Sequence, residues 1–391
     1  MTIFRSALRA AAAAALLSAA AAPAGAQSLL SARGLGFPLE PYDARAVALG
    51  GIPLGLPGRN LSLVNPAEDA ALPAPALAFA FQPESFSGTA GGSSSDARSQ
   101  RYPLVHAAFP FRRFVASVGY GSYLDQHWGT SASDSTSIGG TRYEVVDRFS
   151  SSGGVSRLRL SAGYRVTDRL MVGAGTDLYT GQARDSSIHT VTGLSSNVFA
   201  TNWSYTGVGY TAGARFSPAD PVWLSASVST GTTLRAKPDA DSGSIARAYD
   251  LPLRVDAGVS GRIGGTTTLA LAGSWKRWSS AEAALAESSG GARDVRSGAA
   301  GLEYEGFKLG TRVVPLRLGA HYTELPFQWD SKSAARAFPV ERGVSGGLGI
   351  RLLGGAALGD AALERGKRGG SGTQFDESYW RMSFSLTLLG R

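Results

Sequence analysis

Close to its C-terminal end the chain reads Trp380-Arg381-Met382-Ser383-Phe384-Ser385-Leu386-Thr387-Leu388. Large apolar side chains occupy every even position, and Arg, Ser, Ser and Thr occupy the odd ones. Period two is the mark of a strand whose faces meet different surroundings. A half-buried soluble sheet also alternates, but its strands average nearer five or six residues, whereas this run is about as long as a tilted strand needs to cross a bilayer. Trp380 stands on the apolar phase at one end, where an interfacial aromatic girdle places such residues.

The same pattern recurs from about Ala76 onwards. Leu158, Leu160, Ala162, Tyr164 and Val166 alternate with Arg157, Arg159, Ser161, Gly163 and Arg165. Leu253, Val255, Ala257 and Val259 alternate with Arg254, Asp256, Gly258 and Ser260, and Leu269, Leu271, Gly273 and Trp275 with Ala270, Ala272, Ser274 and Lys276. On the apolar phase, Trp275, Tyr322 and Trp380 group at one level and Phe111, Phe114, Tyr164 and Phe216 at the other, as two girdles would. Trp223 falls on the opposite phase. Short turns occur at Pro110 to Arg113, Thr167 to Arg169, Pro218 to Pro221, Gly264-Gly265, near Gly310 and near Gly354-Gly355. Longer polar stretches, at 88–100, 129–141, 182–200, 237–248, 280–294, 328–340 and 366–374, read as loops on the other side. Six turns and seven loops make thirteen connections and hence fourteen strands, with both barrel ends on the short-turn side. Twelve and sixteen are the neighbouring counts that the long stretches 139–166 and 294–312 allow. The expected fold is all-β: a transmembrane antiparallel β-barrel over residues 76–391.

Composition excludes several functions. Among 391 residues there is no Cys and there are four scattered His, which removes disulfides, thiol chemistry and Cys/His zinc sites, and makes a His-rich metal site improbable. After the first thirty residues no apolar run approaches the roughly 20 residues of a membrane helix. Met1 to Ala26 reads as a secretory signal peptide: Arg5 and Arg9 supply the positive end, Ala10 to Ala22 the apolar stretch, and Ala24-Gly25-Ala26 the cleavage site, leaving Gln27 first. Losing Arg5 and Arg9 lowers the formal charge from +8 by two. A modest excess of Arg with no basic helix, on an exported chain, points away from nucleic acid. The expected location is the bacterial outer membrane.

Residues 27–75 do not alternate. They are rich in Gly, Pro, Leu and Ala with few charges, whereas a disordered tail would be more polar. Such a composition suits a compact segment inside the barrel. Within it stand Ala44-Arg45-Ala46-Val47-Ala48-Leu49-Gly50-Gly51 and, fourteen residues on, Asn65-Pro66-Ala67. Here the sequence resembles the outer-membrane long-chain fatty-acid transporter (FadL) family, as a distant member. Its members open with an "ARAxxxGG" stretch followed by "NPA". The resemblance implies an N-terminal lumenal hatch in a fourteen-stranded barrel, with Gly50 and Gly51 as the glycine turn and Asn65, Pro66 and Ala67 as the hatch tripeptide. It implies passive uptake of hydrophobic small molecules, long-chain fatty acids or aromatic hydrocarbons, leaving sideways beside a kinked strand that Gly119 and Gly121 could mark. Two departures stand out. The stretch before Asn65, Gly58-Arg59-Asn60-Leu61-Ser62, has no acidic residue, and the chain ends Leu388-Leu389-Gly390-Arg391 rather than on the aromatic that insertion machinery reads.

The polar phase carries Arg157, Arg159, Arg165, Asp177, Arg254, Asp256, Glu303, Glu305, Arg317 and Glu364. One reading is a lumenal network of paired charges; the other is a set of Arg that attract a substrate carboxylate. Arg365, Lys367 and Arg368, and Lys276-Arg277 between two Trp, read as solvated loop charge or as contacts to lipopolysaccharide phosphate. Catalysis is not expected. His106 and His321 fall in strands, and His127 and His189 at loop edges. The best base, His321 beside Glu324, lacks a nucleophile in a strand–helix setting. No cofactor is implied. The partners expected are outer-membrane lipid, lipopolysaccharide, a hydrophobic ligand and the barrel-insertion machinery. The alternative function is a transporter-like barrel acting as a protein-secretion shuttle or structural outer-membrane scaffold.

Overall fold

A strand that is apolar on one face and charged on the other is stable beside lipid only when its backbone groups are paired on both sides, so the sheet has to close. The computed structural model describes residues 28–58, 60–90, 93–285, 291–329, 337–370 and 372–390; the expected signal peptide lies outside them. Strand β1 (Phe37–Pro38) belongs to the N-terminal segment. The wall begins with β2 (Ala76–Ala90), β3 (Ser93–Phe111), β4 (Phe114–Asp125) and its continuation β5 (Trp128–Ile138), then β6 (Thr141–Arg165), β7 (Leu170–Val191) and β8 (Ser195–Ala219). It continues through β9 (Val222–Gly231), the upper hairpin β10 (Thr233–Pro238) and β11 (Arg247–Asp250), β12 (Arg254–Ile263), β13 (Thr267–Lys276) and β14 (Val295–Tyr304). A small hairpin, β15 (Lys308–Leu309) and β16 (Arg312–Val313), precedes β17 (Leu316–Glu324), β18 (Val340–Leu352), β19 (Ala357–Gly369) and β20 (Phe375–Leu389).

Every neighbouring pair is antiparallel, and β20 closes on β2 from Ala76 opposite Leu389 to Ala90 opposite Phe375. Among the described residues, with β5, β10 and β11 as extensions and β15–β16 as a turn, fourteen strands form the closed wall. The alternation is borne out in the last strand. Trp380, Met382 and Phe384 are 47%, 49% and 46% exposed, while Arg381, Ser383 and Ser385 are 8%, 0% and 8% exposed. The short turns fall where Gly and Pro mark them; Gly264 and Gly265 take φ of +62° and +78°, which a side chain would strain.

The polar loops differ from expectation. Stretches 129–141 and 182–200 are largely strand, because β5, β6, β7 and β8 pair in unbroken register from the membrane up to Val145 opposite Val191. β6 and β8 are 25 residues long, far beyond a bilayer crossing. Their Ser, Thr and Gly suggest loop by composition, but a sheet bathed in water on both faces needs no apolar phase. This sheet projects above the barrel, and β5 pairs only with β6 among the described wall strands.

Leu271, mid-way along β13, is 58% exposed, whereas Ser297 on β14 turns inward to line the lumen cavity. Leu271→Arg should therefore destabilise the folded barrel by about 2–4 kcal/mol if it lies at the bilayer midplane, while Ser297→Arg should cost far less. Urea midpoints of the two variants in lipid vesicles check this.

Candidate functional site

Residues 28–58 and 60–75 pack against the inner face of the wall. Asp43 caps a five-residue helix, Ala44–Ala48, accepting the Ala46 N–H at 2.7 Å. The helix stops at Gly50 and Gly51, whose φ of +79° and +86° reverse the chain. The wall receives this turn closely: a Cβ on Gly319 would lie 2.0 Å from Gly50 N. Leu49, Ile52, Leu54, Leu56 and Leu63 are almost fully buried against the inner wall. Asn65, fully buried, donates through Nδ2 to Ser225 Oγ at 2.7 Å and to the Ala214 and Ala226 carbonyls, and accepts from Ala67 N–H at 2.9 Å. A Cβ on Gly213 would collide with Asn65 Oδ1 at 2.0 Å, so the wall is shaped to this side chain. Pro66 and Ala67 lie against Gly173 of β7. The glycine turn and the tripeptide thus both seat on the wall, far apart around the barrel.

Charge holds the segment in place. Arg45 forms a two-point pair with Glu303, at 3.0 and 2.7 Å, and Arg317 bridges Glu303 to Asp360 at 2.6 Å on each side. Glu68 accepts from Arg215 at 2.8 Å, and Asp69 meets His106 at 2.9 Å. Glu40 accepts from Arg254, which also pairs with Asp256, and from Lys276. Arg159 pairs with Asp177 and, with Arg157, donates to the Leu63 carbonyl; Arg165 donates to the Ala70 carbonyl. Of the expected lumen charges, Arg157, Arg159, Arg165 and Arg254 bond to the N-terminal segment, Arg317 to its partner Glu303, and Asp256 to Arg254.

Three expectations are corrected. Lys276 is not a loop charge: it ends β13 pointing inward, because Glu40 gives its ammonium a partner inside. Arg368 is likewise buried, donating to Glu341, Glu377 and Glu84, with its guanidinium 4.2 Å from the centre of the Tyr379 ring. His321 meets Glu341 at 3.3 Å and Glu364 at 4.0 Å rather than Glu324, since β18 and β19 carry those carboxylates beside it. Glu84, Glu341, Glu377 and Arg381 were missed as site residues; their inward phase was the available signal.

The wall has one seam where β3 and β4 part. They pair only from Phe111–Phe114 up to Val105–Tyr120, although β3 continues beside β2 to Ser93. Pro103, which has no N–H to donate, stands just beyond the last pair. Both strands bulge there: Tyr102 and Pro103 together face Phe81, and Tyr123 is extra in β4. A bulge bends a strand and ends pairing. The freed edge of β4 is taken by the N-terminal segment. Phe37 and Pro38 pair with Asp125 and Leu124, and Leu39 N–H donates to the Tyr123 carbonyl at 2.8 Å. Gly121, which the sequence offered as a kink, leaves space for Pro103 and Leu63 just before the β4 bulge. Beside the seam lies a cavity of about 110 Å³, with Leu39, Tyr42, Lys276, Trp278, His321 and Glu364 in its lining.

A family model, BamG, matches residues 5–248, more than half of the chain. The chain belongs to the BamG family. No curated protein matches it. Among solved structures, this BamG family member is similar to a Pseudomonas aeruginosa FadL homologue (12% identity, 90% of this chain and 99% of that one, TM-score 0.61). It is similar to the Ralstonia pickettii toluene transporter TbuX (17%, 90% and 99%, TM-score 0.58) and to the CymD monoaromatic hydrocarbon channel (15%, 91% and 98%, TM-score 0.58). At these identities the likeness establishes the fold, that of the FadL-type outer-membrane barrels.

Asn65→Ala removes an acceptor from the Ala67 N–H and a donor from two buried carbonyls, at about 1–3 kcal/mol. The expected outcome is earlier cleavage within 28–75 by an added protease while the barrel itself stays folded, read from gels of heated and unheated samples.

Proposed function

We propose that residues 28–75 act as a hatch, and that the protein is an outer-membrane channel for passive uptake of hydrophobic small molecules that leave through the β3–β4 seam. The observation that carries this reading is the seam itself. Two bulged strands part above Val105 and Tyr120, and the only pairing on the freed edge of β4 among the described residues comes from the two-residue strand β1. Two antiparallel residue pairs are a light closure compared with the ten pairs joining β12 to β13. The seam can open by moving β1 without breaking the rest of the wall. The shared fold of a toluene transporter and a monoaromatic hydrocarbon channel supports the substrate class. The cavity of about 110 Å³ is too small for a long chain; it is also smaller than the cavity near 150 Å³ known to admit benzene, so a single ring would have to widen it. Outside, Lys367 is exposed and Arg365 lies 5.0 Å over the Trp380 ring, leaving these two basic residues for lipopolysaccharide phosphate.

The chain has no Cys, which permits a direct test. Pro38 and Leu124 are paired residues, and antiparallel partners lie within disulfide range. Pro38→Cys/Leu124→Cys, oxidised, should block toluene entry into cells, and a reductant should restore it. Unchanged uptake with the bridge formed would overturn the seam as exit.

A second reading, a barrel serving a protein partner, is favoured by the projecting sheet. Among the described residues nothing pairs with the outer edge of β5 above the membrane, a template for an extended segment of another chain. BamG membership specifies no cargo and accommodates both readings. Purification of the native complex separates them: a stoichiometric protein partner together with absent toluene uptake supports the second.

A further inference from the structure

The outer face of the wall carries a patch of unpaired positive charge. Pairing of β3, β2, β20 and β19 places Arg98, Ser85, Trp380 and Arg365 in one row across four strands. The next outward row towards the loops reads Asp96, Ser87, Ser378 and Lys367. Lys367 stands opposite Arg342 of β18, and Arg342 opposite Tyr322 of β17. Arg98, Lys367 and Arg342 are exposed and Arg365 is half-buried, and among the described residues none of the four forms an ion pair. Arg368 and Arg381, inward on the same strands, each pair with two or three carboxylates. Arg365 lies 5.0 Å over the Trp380 ring and Arg342 lies 5.5 Å over that of Tyr322. A guanidinium stacked in this way keeps its N–H edge free for a ligand. Towards the short turns the outward face becomes apolar, with Leu363, Met382, Phe384 and Val344 exposed. Trp and Tyr mark the headgroup level of a bilayer, so these cations stand among headgroups and the apolar residues among acyl chains. A groove of about 470 Å³ is cut into the patch, lined by Arg98, Arg365 and Trp380 and by Ser85, Ser87 and Ser378. Two guanidinium groups flanking three hydroxyls suit a phosphate monoester, which offers three acceptor oxygens and nearly two negative charges. The outward carboxylates of these strands, Asp96 and Asp376, both stand nearer the loops, and Asp96 borders the groove at that end.

We propose that this patch is a binding site for one outer-leaflet glycolipid with two phosphate monoesters, a lipopolysaccharide, whose phosphates take separate places. One enters the groove between Arg98 and Arg365; the other meets Lys367 and Arg342. This inference rests on the outer-membrane placement and extends the contact of Arg365 and Lys367 to a built site. It does not depend on the seam, because every strand that contributes lies on the β2 side of the β3–β4 gap. A phospholipid presents a single phosphodiester and fills one place only, whereas a glycolipid with two phosphates fills both, and its acyl chains lie along Leu363, Met382 and Phe384.

The test uses the mature protein in detergent, washed with a chelator so that no divalent ion bridges phosphates, and three probes: diphosphoryl lipid A, monophosphoryl lipid A and phosphatidylglycerol. Binding is read by native mass spectrometry. Diphosphoryl lipid A should bind about tenfold more tightly than phosphatidylglycerol, with the monophosphoryl form between them. Arg98→Gln/Arg365→Gln should remove that advantage. Lys367→Gln/Arg342→Gln serves as a second pair should the first fail to insert, and should make the two forms of lipid A bind alike. Arg169→Gln/Arg312→Gln, exposed cations at the short-turn end, should change nothing. Phosphatidylglycerol binding as tightly as diphosphoryl lipid A overturns the proposal in favour of a general anionic contact. An advantage that survives both belt pairs, or falls equally in the short-turn pair, overturns the site. Toluene uptake is not part of this readout, so such a failure leaves the uptake reading standing.

Discussion

A charge inside a membrane barrel has to be paired or hydrated, and in this molecule several are paired across the boundary between wall and N-terminal segment. Arg45 with Glu303, Glu68 with Arg215, Asp69 with His106 and Glu40 with both Arg254 and Lys276 join the two parts from four directions. Removing one partner of such a pair strands the other in a poorly hydrated interior, which is far costlier than losing a surface salt bridge. The segment is therefore not merely lodged in the lumen. Arg215, Arg254, Lys276, His106 and Glu303 of the wall each take a partner from it. The same dependence explains why so apolar a stretch folds within a polar interior: its own carbonyls, at Leu63, Ala70 and Gly55, accept from Arg157, Arg159, Arg165 and Ser260 of the wall.

Tight anchoring and a removable closure sit in different places along the segment. The helix, the glycine turn and Asn65 are fixed by several bonds each, whereas β1 contributes two residue pairs to the edge of β4. In the proposed uptake, a ligand at the cavity has β1 and its short pairing with β4 beside it. Local opening draws on the least stable contacts first, and the proposed exit uses the stretch of wall with the shortest pairing. Pro103 and the paired bulges keep β3 and β4 from closing the gap themselves.

Much of this was legible in the sequence. The run from Trp380 to Leu388 fixes a two-faced strand, and turn residues such as Gly264-Gly265 delimit the wall, because period and turn chemistry are local properties. Gly50, Gly51 and Asn65-Pro66-Ala67 stood out for the same reason. What could not be read depends on contacts between distant residues. Lys276 and Arg368 look like loop charges until Glu40 and Glu84 are brought beside them. The strand Phe37–Pro38 has no pattern of its own, since two residues define no period. The sheet of β5 to β8 looked like loops because its Ser and Thr face water on both sides and so show no alternation. His321 was noticed, but its partners lie on β18 and β19, 20 and 43 residues away in sequence.

The central claim is that residues 28–75 close a barrel which would otherwise be open, since barrel diameter grows with strand number and fourteen strands leave room that side chains alone do not fill. Single-channel recording of the intact mature protein in planar lipid bilayers tests it most directly. The account predicts no steady ionic conductance, and a steady pore once residues 44–67 are deleted from a barrel that still inserts. A large, steady conductance from the intact protein would contradict it.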